Sequence, residues 1–262
     1  MKNILKIECI MLFSIILLLS VSCTSNGNFE INHINKNIDE MREEKNDETT
    51  KLNEGSVFST KYDDILEKIY IDNNVKILYP QISKSDMDTI DNMINYRIKN
   101  EALSVLGEYE CDMQDVFLDI RYEIAVMNDK NISIIFKGDG CVTGANHNNK
   151  HFYTLNLDLE SSKKIYLNEF VDTSRLFDFI IKKNYVFTMY NDFESIDIYY
   201  VNDFIQYEQI TNCDCNDSEM YSYFTDDFIG ISIPVPYAIG GHKEIEIPLG
   251  DITDVVTGQN TR

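Results

Sequence analysis

Positive charge is scarce in this chain: 23 Lys and Arg stand against 44 Asp and Glu, a formal net charge of −21 at pH 7. That balance excludes nucleic acid and argues against an anionic bilayer surface, since both repel it, and a charged partner has to be cationic. An apolar run long enough to remain in a membrane is missing at the N-terminus. A spanning helix needs about 20 apolar residues, and Ile10 to Leu19 supplies roughly half of that. There is no repeat of fixed period, no Gly-x-Ser-x-Gly nucleophile motif and no cysteine in a protease-like context. Carboxylates are too numerous to single out a glycosidase pair. An enzyme is therefore the less favoured reading.

The short apolar run sits behind Lys2 and Lys6 and ahead of small residues, which is the order of a secretory signal over residues 1–22. Leu19-Ser20-Val21-Ser22-Cys23 resembles a bacterial lipobox, although Ser20 departs from the commoner leucine. Cys23 is the expected lipidation site. Its acyl chains, at about 0.8 kcal/mol per buried methylene, would hold the protein at the outer face of the cytoplasmic membrane. Residues 23–60 are rich in Asn, Glu, Lys, Asp and Thr and too poor in apolar side chains to offset their ordering entropy. They read as a disordered tether with an r.m.s. span on the order of 35 Å and a limit of about 120 Å. Residues 61–262 carry the apolar periodicity of one folded unit, with sub-lobes at about 61–145 and 146–262.

In that unit Cys111, Cys141, Cys213 and Cys215 allow three disulfide pairings in an oxidising compartment. Free buried thiols are the alternative, and spacing does not choose. Val75–Tyr79 reads as a strand closed by Pro80. Ser85 reads as the N-cap of a helix whose apolar face runs from Met87 to Leu106 and which stops at Gly107. Leu118 to Val126 alternates with period two, a turn follows at Asn128-Asp129, and Ile132–Phe136 and Phe152–Leu159 complete three antiparallel strands. A second helix starts at caps Thr173 and Ser174, with Leu176, Phe179 and Ile180 inward, and Phe228–Val235 and Glu244–Leu249 read as strands. The fold class is α+β: a mainly antiparallel sheet with helices packed on one face.

Four pieces in this order, from Val75 to Ile252, resemble the RsiV/PdaC-like extracellular domain family. They are Tyr79-Pro80 ahead of Ile94-Asn95; Gly144-Ala145-Asn146-His147 followed by Asn156 to Leu159 with Asp158 and by Leu167 to Phe170; Phe224-Thr225 leading into Ile229 to Ile233; and Pro236-Tyr237 to Gly241 with Glu246 to Leu249, including Pro248. The resemblance implies an α+β fold and a binding activity. In this family the domain binds lysozyme in an anti-sigma factor and accompanies the catalytic domain of a peptidoglycan deacetylase. The chain has neither that catalytic domain nor a cytoplasmic anti-sigma segment, so neither output carries over. His147 belongs to the motif and is expected to tie loop to sheet; His151 does not belong to it.

His147 and His151 stand four apart, yet in a turn and without a third ligand, so no metal and no cofactor is expected. Cys213-Asp214-Cys215 lacks the second pair of a zinc site, and Asp214, Asn216 and Ser218 open a calcium-loop pattern that Glu219 and Thr225 break. Asn184 to His242 contains no Lys or Arg but many carboxylates and tyrosines. Within it Tyr199, Tyr200, Asp203, Tyr207, Tyr221 and Tyr223 are the candidate ligand contacts, since tyrosine gives contact area and uncompensated carboxylates steer a cation. The other reading is a solvated acidic face. The expected function is a tethered, non-catalytic envelope domain that binds a cationic protein such as lysozyme, or a cell-wall component such as peptidoglycan. The alternatives are a peptidoglycan-modifying enzyme or accessory, and a structural lipoprotein without a ligand.

Overall fold

The computed structural model describes residues 50–51, 64–109, 111–190, 196–215 and 218–257. The predicted signal segment, Cys23 and most of the predicted tether lie outside them. Among the described residues no helix is long and apolar enough to cross a membrane.

The larger sheet holds six strands, hydrogen-bonded in chain order: β1 (Thr50–Lys51), β2 (Asp64–Asp72), β3 (Asn74–Ser83), β4 (Val116–Met127), β5 (Asn131–Val142) and β6 (Asn149–Asp158). Neighbours are antiparallel except β3 and β4, which run parallel on either side of helix α1 (Thr89–Ser104) in the chain. Pro80 does not close β3 as the sequence suggested; it pairs with Glu67 of β2. Because β3 meets β4 only as far as Ile77, Pro80 has no strand on that side among the described residues, and a missing N–H costs no ladder bond there.

The α1 cap is Asp88 rather than Ser85. Asp88 accepts from the Asp91 N–H at 3.0 Å while the Asp91 carboxylate accepts from the Asp88 N–H at 2.8 Å. This reciprocal box, with Lys84 ion-paired to buried Asp91, fixes where the helix starts. The α-helix ends at Ser104, and a 3-10 turn, Val105–Glu108, carries the chain past Gly107.

The period-two segment forms β4, and its alternation breaks at a bulge between Ile124 and Val126. The extra residue turns Ile124 toward one core and Val126 toward the other. At the expected turn, Asn128 Oδ1 accepts from the Lys130 and Asn131 N–H groups, both at 2.9 Å.

One face of the large sheet packs beneath α1. Ile77, Leu118, Ile134, Phe136 and Leu155 meet Ile94 and Ile98 there, in a core without solvent exposure to speak of. The chain passes to a second core between Leu159 and Ile165, so β6 stays with β5 and position 145 falls in their connection. The second core is enclosed by α2 (Leu167–Phe170), α3 (Thr173–Lys183), the hairpin of β7 (Val186–Tyr190) and β8 (Ile196–Tyr200), and α4 (Tyr207–Thr211). Its floor is an antiparallel sheet of β9 (Tyr221–Phe224), β10 (Phe228–Pro234) and β11 (His242–Pro248), in the order β11-β10-β9. The α3 cap is Asp172, one residue before the predicted Thr173: its carboxylate accepts from the Ser174 and Arg175 N–H groups at 3.1 Å. The α+β class read from the sequence is the one the chain adopts.

Candidate functional site

Strand β9 has β10 on one side and, among the described residues, no partner strand on the other, where side chains take its hydrogen bonds. The Ser222 carbonyl accepts from Thr154 Oγ1 at 2.7 Å and Asn156 Nδ2 at 2.9 Å, and the Phe224 N–H donates to Ser133 Oγ at 3.0 Å. Ser133 in turn donates to Asn156 Oδ1 at 2.6 Å. The Ser222 N–H donates to Asp214 at 2.6 Å, and Asp214 also takes the Ser222 hydroxyl and the Leu167 N–H. Asp214 is only 1% exposed, and burial pushes its carboxyl above the ordinary 3.8 against the pull of the Ser222 hydrogen bonds. Its backbone lies in the left-handed region at φ 66°. This buried seam ties β9 to β5 and β6 and to Asp214.

The family-motif residues separate into two roles. Tyr79 and Pro80 are buried in β3, and the Asn95 amide clamps that strand by donating to the Ile82 carbonyl and accepting from its N–H, both at 2.9 Å. Asp158 caps a turn through the Glu160 and Ser161 N–H groups, and Pro248 ends β11 opposite Phe228. Gly144 and Gly241 adopt left-handed backbone, at φ 85° and 79°, in two neighbouring loops. There the exposed His147 ring stacks on Tyr237 with centroids 4.2 Å apart, a contact between loops. Next to it Phe152 lies 4.8 Å from the His242 ring, and His242 Nδ1 is 2.8 Å from Glu244, which holds that carboxyl below its ordinary value.

His151 points elsewhere. Its Nε2 is 2.7 Å from the Tyr109 hydroxyl and its Nδ1 is 3.3 Å from Glu108. Burial, reinforced by Glu108, pushes the Tyr109 hydroxyl up to about 12. The order Tyr–His–carboxylate is that of a proton relay, but both rings are buried, and a Cβ on Gly140 would lie 2.0 Å from the Tyr109 oxygen. No substrate fits between them. Among the described residues no three His, Cys, Asp or Glu groups gather as metal ligands. The four thiols are unbridged: Cys111 is exposed, Cys141 and Cys215 are half-buried, and Cys213 is buried, its thiol pushed up by burial and then by Asp214.

The six candidate contacts of the acidic stretch do not share one face. Tyr223 is buried against Phe152 and covers Gly230, and Tyr221 is half-buried, its hydroxyl pushed up to about 12 by burial and then by Glu108. Tyr199 packs inward near Phe204. Tyr200, Asp203 and Tyr207 reach solvent, Tyr207 standing edge-on to Phe177. The sequence singled out Tyr199 and Tyr200 but not the β7–β8 hairpin that carries them, whose inner side sends Phe187 into the second core. On its outer side Val186 pairs with Tyr200 and Thr188 with Ile198 across the strands. Val186 is 48%, Ile198 58% and Tyr200 46% exposed.

No family profile matches the sequence, and no curated protein gives a significant match. Solved structures do. A member of the DUF3298 family from Bacteroides fragilis aligns over 81% of this chain and 94% of its own, at 14% identity and a TM-score of 0.43. A DUF3298 family protein from Pseudomonas aeruginosa aligns over 81% and 95%, at 12% identity and a TM-score of 0.45. Both likenesses are to DUF3298 family structures, and DUF3298 is the RsiV/PdaC-like domain. Of the motif residues quoted from the sequence, His147 and Tyr237 meet at the loop junction, Gly144 and Gly241 lie in the same two loops, and the rest are spread through the fold.

Proposed function

We propose that this chain is a non-catalytic binding domain of the cell envelope, anchored outside the cytoplasmic membrane through lipidated Cys23, that captures a cationic protein such as lysozyme. The observation that carries the reading is the outer side of the β7–β8 hairpin, where Val186, Ile198 and Tyr200 stand in solvent. Large apolar side chains grouped on a sheet surface mark an interaction site more often than chance exposure does. The surrounding segment, Asn184 to His242, supplies carboxylates and no Lys or Arg, so a partner rich in lysine and arginine is steered in while an acidic one is repelled. Tyr200 and the nearby exposed Asp203 are the contacts of mixed character that such a partner would use.

Calorimetric titration of the purified protein with lysozyme at low and at physiological salt tests this. Binding that weakens as salt rises, and that Ile198→Asp lowers at least tenfold, is the expected result. Absence of heat at both salt concentrations removes the lysozyme assignment.

A further inference from the structure

A cavity of about 350 Å³ lies where the two cores approach each other. Its walls are the β4–β5 turn, the β9–β10 turn and α2. Both turns are internally tied: Asn128 holds the first, and in the second Thr225 Oγ1 accepts from the Asp227 and Phe228 N–H groups at 3.2 and 3.0 Å. The cavity therefore has shape without a ligand. Inside, Phe170 and Phe224 stand 4.6 Å apart at 35°, flanked by Val126 and Ile165. Asn131 and Asp226 also line it, and neither bonds to another described residue through its side chain.

Ligand cavities run from about 300 to 1,000 Å³ and combine an apolar lining with a few placed polar groups. This one is at the small end. A wholly apolar ligand would strip water from Asn131 and Asp226 and return nothing. An anion would meet Asp226, Asp227 and the field of a chain with net charge −21. What fits is a ring with a C–H face for the phenyl groups and hydrogen-bond donors along its edge. We propose that the cavity binds one amino-sugar ring, its face against Phe170 and Phe224 and its hydroxyl and amino donors directed to Asn131 and Asp226. This site is independent of the β7–β8 surface.

The test is an amide NMR titration of the whole protein with glucosamine, with N-acetylglucosamine and with benzylammonium as a non-sugar cation. Both sugars are expected to give saturable shifts at Asn131, Thr225 and Asp226, with glucosamine the tighter. Asn131→Ala should weaken both at least fivefold. Asp226→Asn, at an exposed position where folding is not in question, should erase the glucosamine advantage. Three results would overturn the proposal: no saturable shift from either sugar, sugar binding indifferent to both substitutions, or benzylammonium binding as tightly as glucosamine.

Discussion

Two surfaces of this molecule invert the usual distribution of side chains, in opposite senses. The face of β5 and β6 beneath β9 is buried yet carries Ser133, Thr154 and Asn156, which with Ser222 and Asp214 form a closed hydrogen-bond network. The outer side of β7–β8 is exposed yet carries Val186, Ile198 and Tyr200. Buried polar groups and exposed apolar groups are each the informative exception. Satisfied polar groups inside fix one register for a strand that would otherwise end in unpaired N–H and C=O groups. The exposed parts of these side chains gain no burial on folding, and that motivates the proposal that a partner covers them.

If the inversion is read correctly, substitutions in the seam should cost stability and spare binding, and substitutions on the hairpin should do the reverse. Asp214→Ala leaves the Ser222 and Leu167 N–H groups without acceptors and should lower unfolding free energy by about 3 kcal/mol, measured by urea denaturation. Asn156→Leu, which strands the Ser133 hydroxyl and removes one donor from the Ser222 carbonyl, should cost about 2 kcal/mol. Ile198→Asp should change stability by no more than about 0.5 kcal/mol while weakening partner binding by about 1.4 kcal/mol or more.

The seam also has a pH signature. Because the folded protein holds the Asp214 proton to a higher pH than the unfolded chain does, this group's contribution is full below the ordinary 3.8. It declines as pH rises from there through the raised folded value. A stability–pH profile that does not flatten in this window in Asp214→Asn would break the assignment. The smallest effect belongs to the partly exposed His242–Glu244 pair: a double-mutant cycle should give a coupling within about 0.5 kcal/mol, and in His242→Ala the Glu244 titration followed by NMR should move up toward its ordinary value.

How much of this was legible in the sequence follows from what each pattern encodes. The helical spacing of Ile94 and Ile98 and the alternation of Leu118 and Ile120 record burial against one side, so α1 and β4 could be read directly. Ser85, Asp86 and Asp88 are all competent caps, and the choice among them rests on Asp91 and Lys84, a tertiary arrangement that local preference does not reveal. The seam was invisible for a sharper reason: Ser133 between Ile132 and Ile134, or Thr154 and Asn156 between apolar neighbours, reads as a strand's wet side. The β7–β8 hairpin was missed because Val186 and Phe187 are both apolar although they face opposite ways, which erases the period of two. In the acidic stretch composition alone was readable. The fold then divided it, taking Tyr199, Tyr221 and Tyr223 inward and leaving Tyr200, Asp203 and Tyr207 outside.

The most direct test of the central claim, that the exposed apolar hairpin in its acidic setting is the docking surface for a cationic protein, is the affinity for lysozyme of the wild-type protein and of Ile198→Asp, each with urea-measured stability. Salt-sensitive binding that falls at least tenfold in a variant of unchanged stability is the predicted result. Equal affinity in the two proteins, or no binding by either, would contradict it.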